Sequence, residues 1–221
     1  DELGLRGDAY AKLKEEVERP NGMIITTGPT GSGKTTTMYA ILNTLNKPGV
    51  KIITLEDPVE YKLKGINQSQ IEHSKNYDFA KGLRSILRQD PDVVMVGEIR
   101  DLETAEISIQ AALTGHLVVS TIHTNSAAGA IPRFLSMGVK PFLLAPALNA
   151  VIGQRLVRRL CEVCKVPATL SPSQLKEVTQ ALSTLPSESG AQIDIKRLTF
   201  MGPGKGCETC HNIGYKGRLG I

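Results

Sequence analysis

The chain has 221 residues, of which 41% are hydrophobic and 22% charged, with a formal net charge of +4. These values are typical of a soluble globular protein with one sizeable core and a smaller lobe, and the mild charge identifies no partner. The longest apolar candidate, residues 142–153, is interrupted by Pro146 and Asn149 and is shorter than the about 18 residues of a membrane-spanning helix. The sequence therefore argues against an intrinsic membrane protein.

A phosphate-binding pattern follows the first predicted strand. Residues 23–27 are apolar and β-branched and predict a strand, and residues 34–46 predict a helix that ends before Pro48. The loop between them has the pattern G-x-x-x-x-G-K-T, whose backbone N–H groups surround the phosphates of a nucleoside triphosphate. In this pattern the lysine reaches the β- and γ-phosphates and the threonine hydroxyl holds Mg²⁺. The predicted nucleotide-binding residues are Gly28, Pro29, Thr30, Gly31, Ser32, Gly33, Lys34, Thr35 (the Mg²⁺ ligand) and Thr36.

Acidic residues follow the second predicted strand, residues 51–55. Glu56, Asp57 and Glu60 stand directly after it. Hydrolysis of a nucleotide needs carboxylates near Mg²⁺ and the attacking water, and this loop supplies up to three. The alternative is a set of solvated loop acids.

A second acid follows the next strand. An apolar helical face that includes Phe79 and Leu83 ends at Pro91, and residues 93–96 then predict a strand. Glu98 comes directly after it, while Gly97 stands where many proteins with this motif carry aspartate. We therefore predict that Glu98 polarises the attacking water; the alternative is an acid that only initiates the next helix.

Two histidines lie at opposite ends of the following strand, residues 117–121. Asp101 predicts a helix cap before this strand, and a further helix is predicted from Ser126 to Met137. His123 lies at the carboxyl end, where we expect it to donate a hydrogen bond to a γ-phosphate. The role of His116 stays open. The alternation of strands and helices predicts a three-layer α/β domain with a mostly parallel sheet.

Arginines form two further groups. Arg155, Arg158 and Arg159 are predicted on a helix, where they serve a solvated or intersubunit surface or contact nucleotide or nucleic acid. The second group lies near the acidic segments and consists of Arg84, Arg88 and Arg100. These arginines serve as charge partners of the acids or act across subunits.

All four cysteines occur in two C-x-x-C pairs. Cys161 and Cys164 form one pair, and Cys207 and Cys210 form the other. Two such pairs complete a closed structural Zn²⁺ site, although the intervening segment is longer than usual and requires a small subdomain. Disulfides are the alternative, which a reducing compartment disfavours. His211 is a possible substitute ligand.

The composition becomes more polar after Leu160, which predicts three regions. These are an ATPase core over residues 1–160, a zinc-binding subdomain over 161–210, and the start of a C-terminal segment over 211–221. Within the subdomain, residues 175–182 predict a short helix.

Several segments together resemble one protein family. The signature boxes of the secretion ATPase superfamily are similar to residues 28–37, 55–61, 87–101 and 115–125. The branch that powers type II secretion and type IV pilus assembly is similar to residues 154–161 and 214–218. The similarity extends from about Leu3 to Ile221, and the tetracysteine set is typical of the assembly-type members.

The resemblance implies a RecA-like P-loop ATPase that uses ATP, Mg²⁺ and Zn²⁺. It implies a homohexamer in the cytoplasm, peripheral to the inner membrane, working with a membrane platform protein and a cytoplasmic-domain recruiter. It places Glu56 and Glu60 in an acidic box, Glu98 at the catalytic acid position and His123 at the γ-phosphate sensor. The resemblance also implies a further N-terminal domain that supplies arginines to the nucleotide, so we expect this chain alone to bind nucleotide with weak or absent hydrolysis.

Three other functions compete with this interpretation. One is another motor of the same superfamily, either a retraction-type motor, which the paired C-x-x-C motifs disfavour, or one related to DNA uptake or conjugation. Another is a zinc-bearing ATPase that remodels nucleic acid, and the aromatic content of 4% argues against the stacking platform that it would need. The third is a kinase-like phosphotransferase, against which Glu98 and His123 favour water as the acceptor.

Overall fold

The computed structural model describes residues 3–183 and 197–221. The described residues belong to two compact units. One comprises Tyr10–Arg155, and the other comprises Leu156–Leu219 together with the N-terminal residues up to Ala9. The boundaries at residues 160 and 210 stay a prediction, and residues 184–196 of the predicted zinc-binding subdomain lie outside the described residues.

The first unit is built on a six-stranded sheet with the order β3-β2-β4-β5-β1-β6, in which every neighbouring pair is parallel. Its strands are β1 (Gly22–Thr27), β2 (Ile52–Glu56), β3 (Asn67–Gln70), β4 (Val93–Val96), β5 (Leu117–Ile122) and β6 (Leu148–Gly153). Its helices are α1 (Gly7–Val17, from Tyr10 onward), α2 (Lys34–Leu45), α3 (Phe79–Leu87), α4 (Leu102–Leu113), α5 (Ala130–Ser136) and α6 (Pro141–Ala147). This arrangement confirms the predicted α/β class with a mostly parallel sheet.

Both faces of this sheet are covered by apolar side chains. All residues of β1, β2, β4 and β5 are buried, as expected for a parallel sheet with helices on each face. Ile24 and Met95 pack with α2 on one face, and Ile25 and Val94 pack with α3 and α4 on the other. The residues that follow each strand therefore emerge together at one edge of the sheet.

Three features of the first unit differ from the sequence-based expectation. The helix predicted from Ser126 begins only at Ala130, because the hydroxyl and carbonyl of Ser126 both accept the N–H of Gly129 and form a turn. The polar strand β3 has no apolar periodicity and is stabilised by pairing with β2 at the sheet edge. Strand β6 contains Asn149, a residue type that is rare in strands, and it forms because it pairs with β1.

The second unit contains short elements. They are β7 (Leu156–Leu160), β8 (Val166–Pro167), α7 (Pro172–Ser183), β9 (Met201–Gly202) and β10 (Tyr215–Gly220). β7 pairs with β10, and β8 pairs antiparallel with β9. Helix α7 contains the predicted helix 175–182. None of the helices described in either unit has the length and apolar composition needed to cross a bilayer.

The prediction of a helix carrying Arg155, Arg158 and Arg159 is wrong. Arg158 and Arg159 lie on β7, and Arg155 precedes it. The strand forms because β10 supplies backbone partners, and the guanidinium of Arg158 stacks over the ring of Tyr215, 4.1 Å from its centroid. Consecutive residues of a strand point to opposite faces, so Arg158 and Arg159 do not form one cluster.

Candidate functional site

The loop between β1 and α2 has a backbone that requires glycine. Gly28 has a φ of 149°, and a Cβ there would lie 2.4 Å from the carbonyl oxygen of Gln154 and 2.7 Å from Oγ of Ser32. Gly33 has a φ of 87° and directly precedes α2. The loop therefore connects the buried end of β1 to the N-terminus of α2, whose first N–H groups have no partner within the helix. Such a helix terminus favours an anion.

Lys34 lies against this loop. Its Nζ donates hydrogen bonds to the carbonyl oxygens of Gly28 at 3.0 Å and Pro29 at 3.1 Å. Burial lowers the pKa of Lys34, while the negative charge of Glu98 raises it. The same cation therefore interacts with the loop after β1 and with the acid after β4. Oγ of Ser32, also in the loop, is buried without a hydrogen-bond partner among the described residues.

Glu98 is paired with two side chains just beyond β4. Its Oε1 contacts Nη2 of Arg100, and its Oε2 lies 3.2 Å from Nε2 of His123 at the end of β5. Hydrogen bonding to Glu98 raises the pKa of Arg100. The structure thus places Glu98, His123 and Lys34 around one edge of the sheet. It identifies Arg100 as a charge partner of Glu98 within the same chain.

Glu98 is not part of a helix terminus. α4 begins four residues later, at Leu102, and Asp101 caps it by accepting the N–H of Thr104 at 2.8 Å. Glu98 itself is 9% exposed. The alternative role of a helix-initiating acid therefore belongs to Asp101.

The acids after β2 do not act as one group. Glu56 is 2% exposed, and its carboxylate accepts hydrogen bonds from the hydroxyl of Tyr39, from Thr54 at 2.6 Å and from Gln68 at 3.1 Å. Burial and the hydrogen bond to Glu56 raise the pKa of Tyr39. Glu56 therefore joins α2 to β2 and β3 through buried hydrogen bonds.

The other two acids are accessible. Glu60 is exposed on the loop. Asp57 is paired with His73, with Oδ2 and Nε2 3.0 Å apart. Of the acids predicted to surround the metal and water, these two remain available to solvent, whereas the carboxylate of Glu56 is already hydrogen-bonded by protein groups.

A hydrogen-bond network that the sequence analysis missed surrounds the end of β1. Thr27 donates from its hydroxyl to the carbonyl of Thr124 at 2.9 Å, and Thr37 donates to Oε1 of Gln154 at 2.7 Å. Arg155 donates to the carbonyls of Gln154, at 3.1 Å, and Asn125. All of them except Thr27 lie in the segments 28–37, 115–125 and 154–161, but the sequence does not indicate which of them contact one another. Except for Thr37 in α2, they share a position at or after the carboxyl end of a strand.

His116 lies at the other end of β5. It immediately precedes the first residue of the strand, and its Nδ1 lies 3.1 Å from the carbonyl of Ala111 in α4. Because the phosphate-binding loop follows the carboxyl end of β1, His116 stands at the opposite edge of a parallel sheet. The structure therefore gives it a local contact with α4 rather than a place beside Lys34.

In the second unit the four cysteine sulfurs converge. All four Sγ atoms lie within 4.8 Å of one another. The Sγ–Sγ distance is 3.8 Å for Cys161–Cys207, Cys164–Cys210 and Cys207–Cys210. A tetrahedral site with Zn–S bonds of about 2.3 Å has edges of about 3.8 Å, so these separations fit Zn²⁺. They are much longer than a disulfide bond of about 2.05 Å, and the four thiols are free.

Two backbone groups support a thiolate in this cluster. The N–H groups of Cys207 and Gly214 donate to Sγ of Cys210 at 3.2 and 3.3 Å. Burial raises the pKa of the Cys210 thiol, but these hydrogen bonds outweigh it and lower the pKa to about 6. His211, with a φ of 50°, does not join the group of possible ligands found among the described residues.

Comparison with known proteins relates the whole chain to one family. The family described as type II/IV secretion system protein matches residues 1–221. The putative type II secretion system protein E of Escherichia coli (strain K12) is 51% identical over 99% of this chain and 42% of its own length. The type IV pilus assembly ATPase PilB of Myxococcus xanthus (strain DK1622) is 49% identical over 99% of this chain and 37% of its own length. The chain thus spans less than half the length of these curated relatives.

Solved structures support the fold. The pilus retraction motor PilT with bound ADP is 33% identical, with a TM-score of 0.62, and the match covers 89% of this chain and 67% of that protein. The ATPase DotB of Legionella pneumophila is 31% identical, with a TM-score of 0.60, over 70% of this chain and 45% of that protein.

Proposed function

Because the chain belongs to the family of type II/IV secretion system proteins, we propose that it is the ATP-hydrolysing part of a motor for type II secretion or type IV pilus assembly. One observation carries this proposal. The phosphate-binding loop, Glu98 and His123 follow β1, β4 and β5, which are neighbours in the sheet order β4-β5-β1. An anion-binding loop and an acid that can activate water therefore lie at the same edge of the sheet.

The proposed chemistry depends on positioning and charge. The N–H groups after Gly33 and the ammonium of Lys34 bind the β- and γ-phosphates of ATP. Thr35 holds Mg²⁺, which when bound neutralises charge on the phosphates. Glu98 accepts a proton from the attacking water, and Arg100 contacts its Oε1. His123 donates a hydrogen bond to the γ-phosphate from its place beside Glu98.

For the acidic segment we propose two different roles. Glu60 is exposed and acts near the metal and water, whereas Glu56 acts by fixing α2 relative to β2. The loop geometry around Gly28, with its φ of 149°, supports the assignment of residues 28–36 to nucleotide binding.

The four cysteines hold Zn²⁺ in this proposal. Their sulfur separations support it, and the metal supplies a structural cross-link between the two C-x-x-C segments. This set favours an assembly-type motor over a retraction-type one. As in the relatives named above, we place the complete protein in a secretion or pilus machine. There we propose a homohexamer on the cytoplasmic side of the inner membrane, acting on a platform protein through a recruiter.

Calorimetric titration with MgATP tests nucleotide binding. We expect saturable binding by the parent chain and an affinity loss of about 30- to 150-fold for Lys34→Ala, because a charged hydrogen bond contributes about 2–3 kcal/mol. Lys12→Ala removes an exposed lysine of α1 and is the matched control. Equal heats from the parent and Lys34→Ala would overturn the proposal.

A further inference from the structure

One arginine joins the loops on either side of β1. Strand β1 lies between β5 and β6 in the sheet. Arg155, two residues after β6, donates from Nη1 to the carbonyl of Gln154 at 3.1 Å and from Nη2 to the carbonyl of Asn125. Asn125 lies in the loop after β5, two residues beyond His123. A single guanidinium therefore holds the residue after β6 and the loop that carries His123.

Gln154 extends this connection to the phosphate-binding loop. Its N–H donates to the carbonyl of Thr27 at 2.9 Å. Its own carbonyl approaches Gly28 so closely that a Cβ on that glycine would lie 2.4 Å away. Its side chain accepts a hydrogen bond from Thr37 in α2 at 2.7 Å. Gln154 as a whole residue is 8% exposed. Gln154 thus contacts β1, the loop and α2 at once.

The loop after β5 is also fixed at the residue next to His123. The hydroxyl of Thr27 donates to the carbonyl of Thr124 at 2.9 Å, and the N–H of Thr124 lies 3.2 Å from the same hydroxyl oxygen. His123 therefore precedes two consecutive residues that are both tied to the neighbourhood of β1. Nε2 of the His123 imidazole lies 3.2 Å from Oε2 of Glu98.

We propose that Gln154 and Arg155 form a brace that positions the His123 loop relative to the phosphate-binding loop. The inference rests on the proposed function, and it makes Arg155 a positioning residue rather than a catalytic one. A guanidinium suits this role because its donors have a fixed planar geometry and reach two carbonyls at once, whereas a lysine ammonium is a point charge. Loss of the brace leaves phosphate binding to the loop and Lys34, but releases the segment that presents His123.

Amide hydrogen exchange on the parent chain, Arg155→Gln and Arg155→Lys tests the brace directly. Without nucleotide, we expect exchange in residues 123–127 to rise about tenfold in Arg155→Gln, since a charged hydrogen bond is lost, and less in Arg155→Lys. Arg19→Gln removes an equal charge from a surface pair with Glu16 and should leave this segment unchanged. Unchanged exchange in residues 123–127 of both Arg155 variants would overturn the brace.

Nucleotide measurements separate the brace from the proposed function. With MgATP we expect the dissociation constant of Arg155→Gln to stay within about threefold of the parent while kcat falls about tenfold at unchanged KM. A parent chain that binds no MgATP refutes the proposed function, yet the exchange comparison without nucleotide still tests the brace. A parent that turns over with a kcat equal to that of Arg155→Gln refutes the positioning role alone. If Arg155→Gln does not fold, Arg155→Lys and the same exchange measurement decide the question.

Discussion

The two compact units are stabilised in different ways. The first buries apolar clusters on both faces of a parallel sheet. Among the described residues of the second, the buried apolar side chains are those of Cys161 and Cys210, and α7 has none. A unit without an apolar core needs another source of stability, and the four converging sulfurs provide one. The comparison teaches that one chain combines a unit organised by hydrophobic burial with a unit whose four converging cysteines are placed for the proposed zinc cross-link.

Removal of zinc should have the largest effect and should be confined to the second unit. Structural zinc sites contribute about 10–16 kcal/mol of apparent binding energy, so chelation or Cys210→Ser should unfold residues 156–183 and 197–219 while the sheet of the first unit persists. Zinc content by elemental analysis and residue-resolved NMR would measure both effects. His211→Ala is the control and should retain one zinc per chain. Simultaneous loss of both units on chelation would contradict this separation.

Glu98→Gln should lower the rate of ATP hydrolysis by the first unit without changing the zinc content of the second. The amide keeps the shape of the side chain but cannot take a proton from water, so we expect hydrolysis to fall about 10²- to 10⁴-fold while MgATP still binds. Phosphate release and calorimetry measure these two quantities. Glu106→Gln, on the exposed surface of α4, is the matched control. Turnover of Glu98→Gln at the parent rate would exclude Glu98 as the base.

Tyr39→Phe should lower the stability of the first unit. It removes a hydrogen bond to the buried carboxylate of Glu56, so we expect a loss of about 1–3 kcal/mol in the free energy of unfolding at pH 7. The measurement is urea unfolding followed by a probe in the sheet. Tyr10→Phe, on the exposed side of α1, is the control and should lie within about 0.5 kcal/mol of the parent.

The pH dependence of this difference has a definite sign. Burial and hydrogen bonding to Glu56 raise the pKa of Tyr39 above its ordinary value of 10.0. Above that pH the unfolded chain releases the Tyr39 proton while the folded chain retains it, so the stabilisation is present below pH 10.0 and declines as the pH rises. The stability difference between the parent and Tyr39→Phe should therefore shrink above this pH. A difference that grew with pH would contradict the hydrogen-bond assignment.

Arg158→Gln should give the smallest effect, in the second unit. The guanidinium stacks over Tyr215 with 4.1 Å to the ring centroid, and an exposed cation–π contact contributes about 0.5–1 kcal/mol. Hydrogen exchange of β10 in the zinc-bound protein should report a loss of this size. Arg159→Gln, on the same strand, is the control and should leave β10 unchanged. Equal effects of the two substitutions would show that charge alone, rather than stacking, is responsible.

Segments that carry their own local pattern are predictable from the sequence. The strands β1, β2, β4 and β5 are continuous apolar runs and were predicted within one residue or two of their observed ends. The glycine and lysine spacing predicts the loop at Gly28–Lys34, because that spacing reflects local backbone geometry, while the role of these residues in nucleotide binding stays a prediction. The paired cysteines were likewise predicted to converge, and their sulfurs do.

Long-range contacts account for what the sequence analysis missed or got wrong. β3 and β7 became strands because β2 and β10 supplied hydrogen-bond partners, which no local pattern encodes. The separation of Glu56 from Glu60 depended on Tyr39 and Gln68, which lie 17 and 12 residues from Glu56 in the chain. One of the two carbonyl partners of Arg155, that of Asn125, lies 30 residues away in the chain.

The amino-acid sequence by itself determined the class of fold, the phosphate-binding loop and the cysteine set, because each depends on local periodicity or on backbone conformations that only certain residues adopt. The tertiary structure decided which acids are free and which are already hydrogen-bonded, and it decided which arginine contacts Glu98 and which joins the loops beside β1. Those outcomes follow from burial and from side-chain distances between strands, and these quantities exist only after the sheet has assembled.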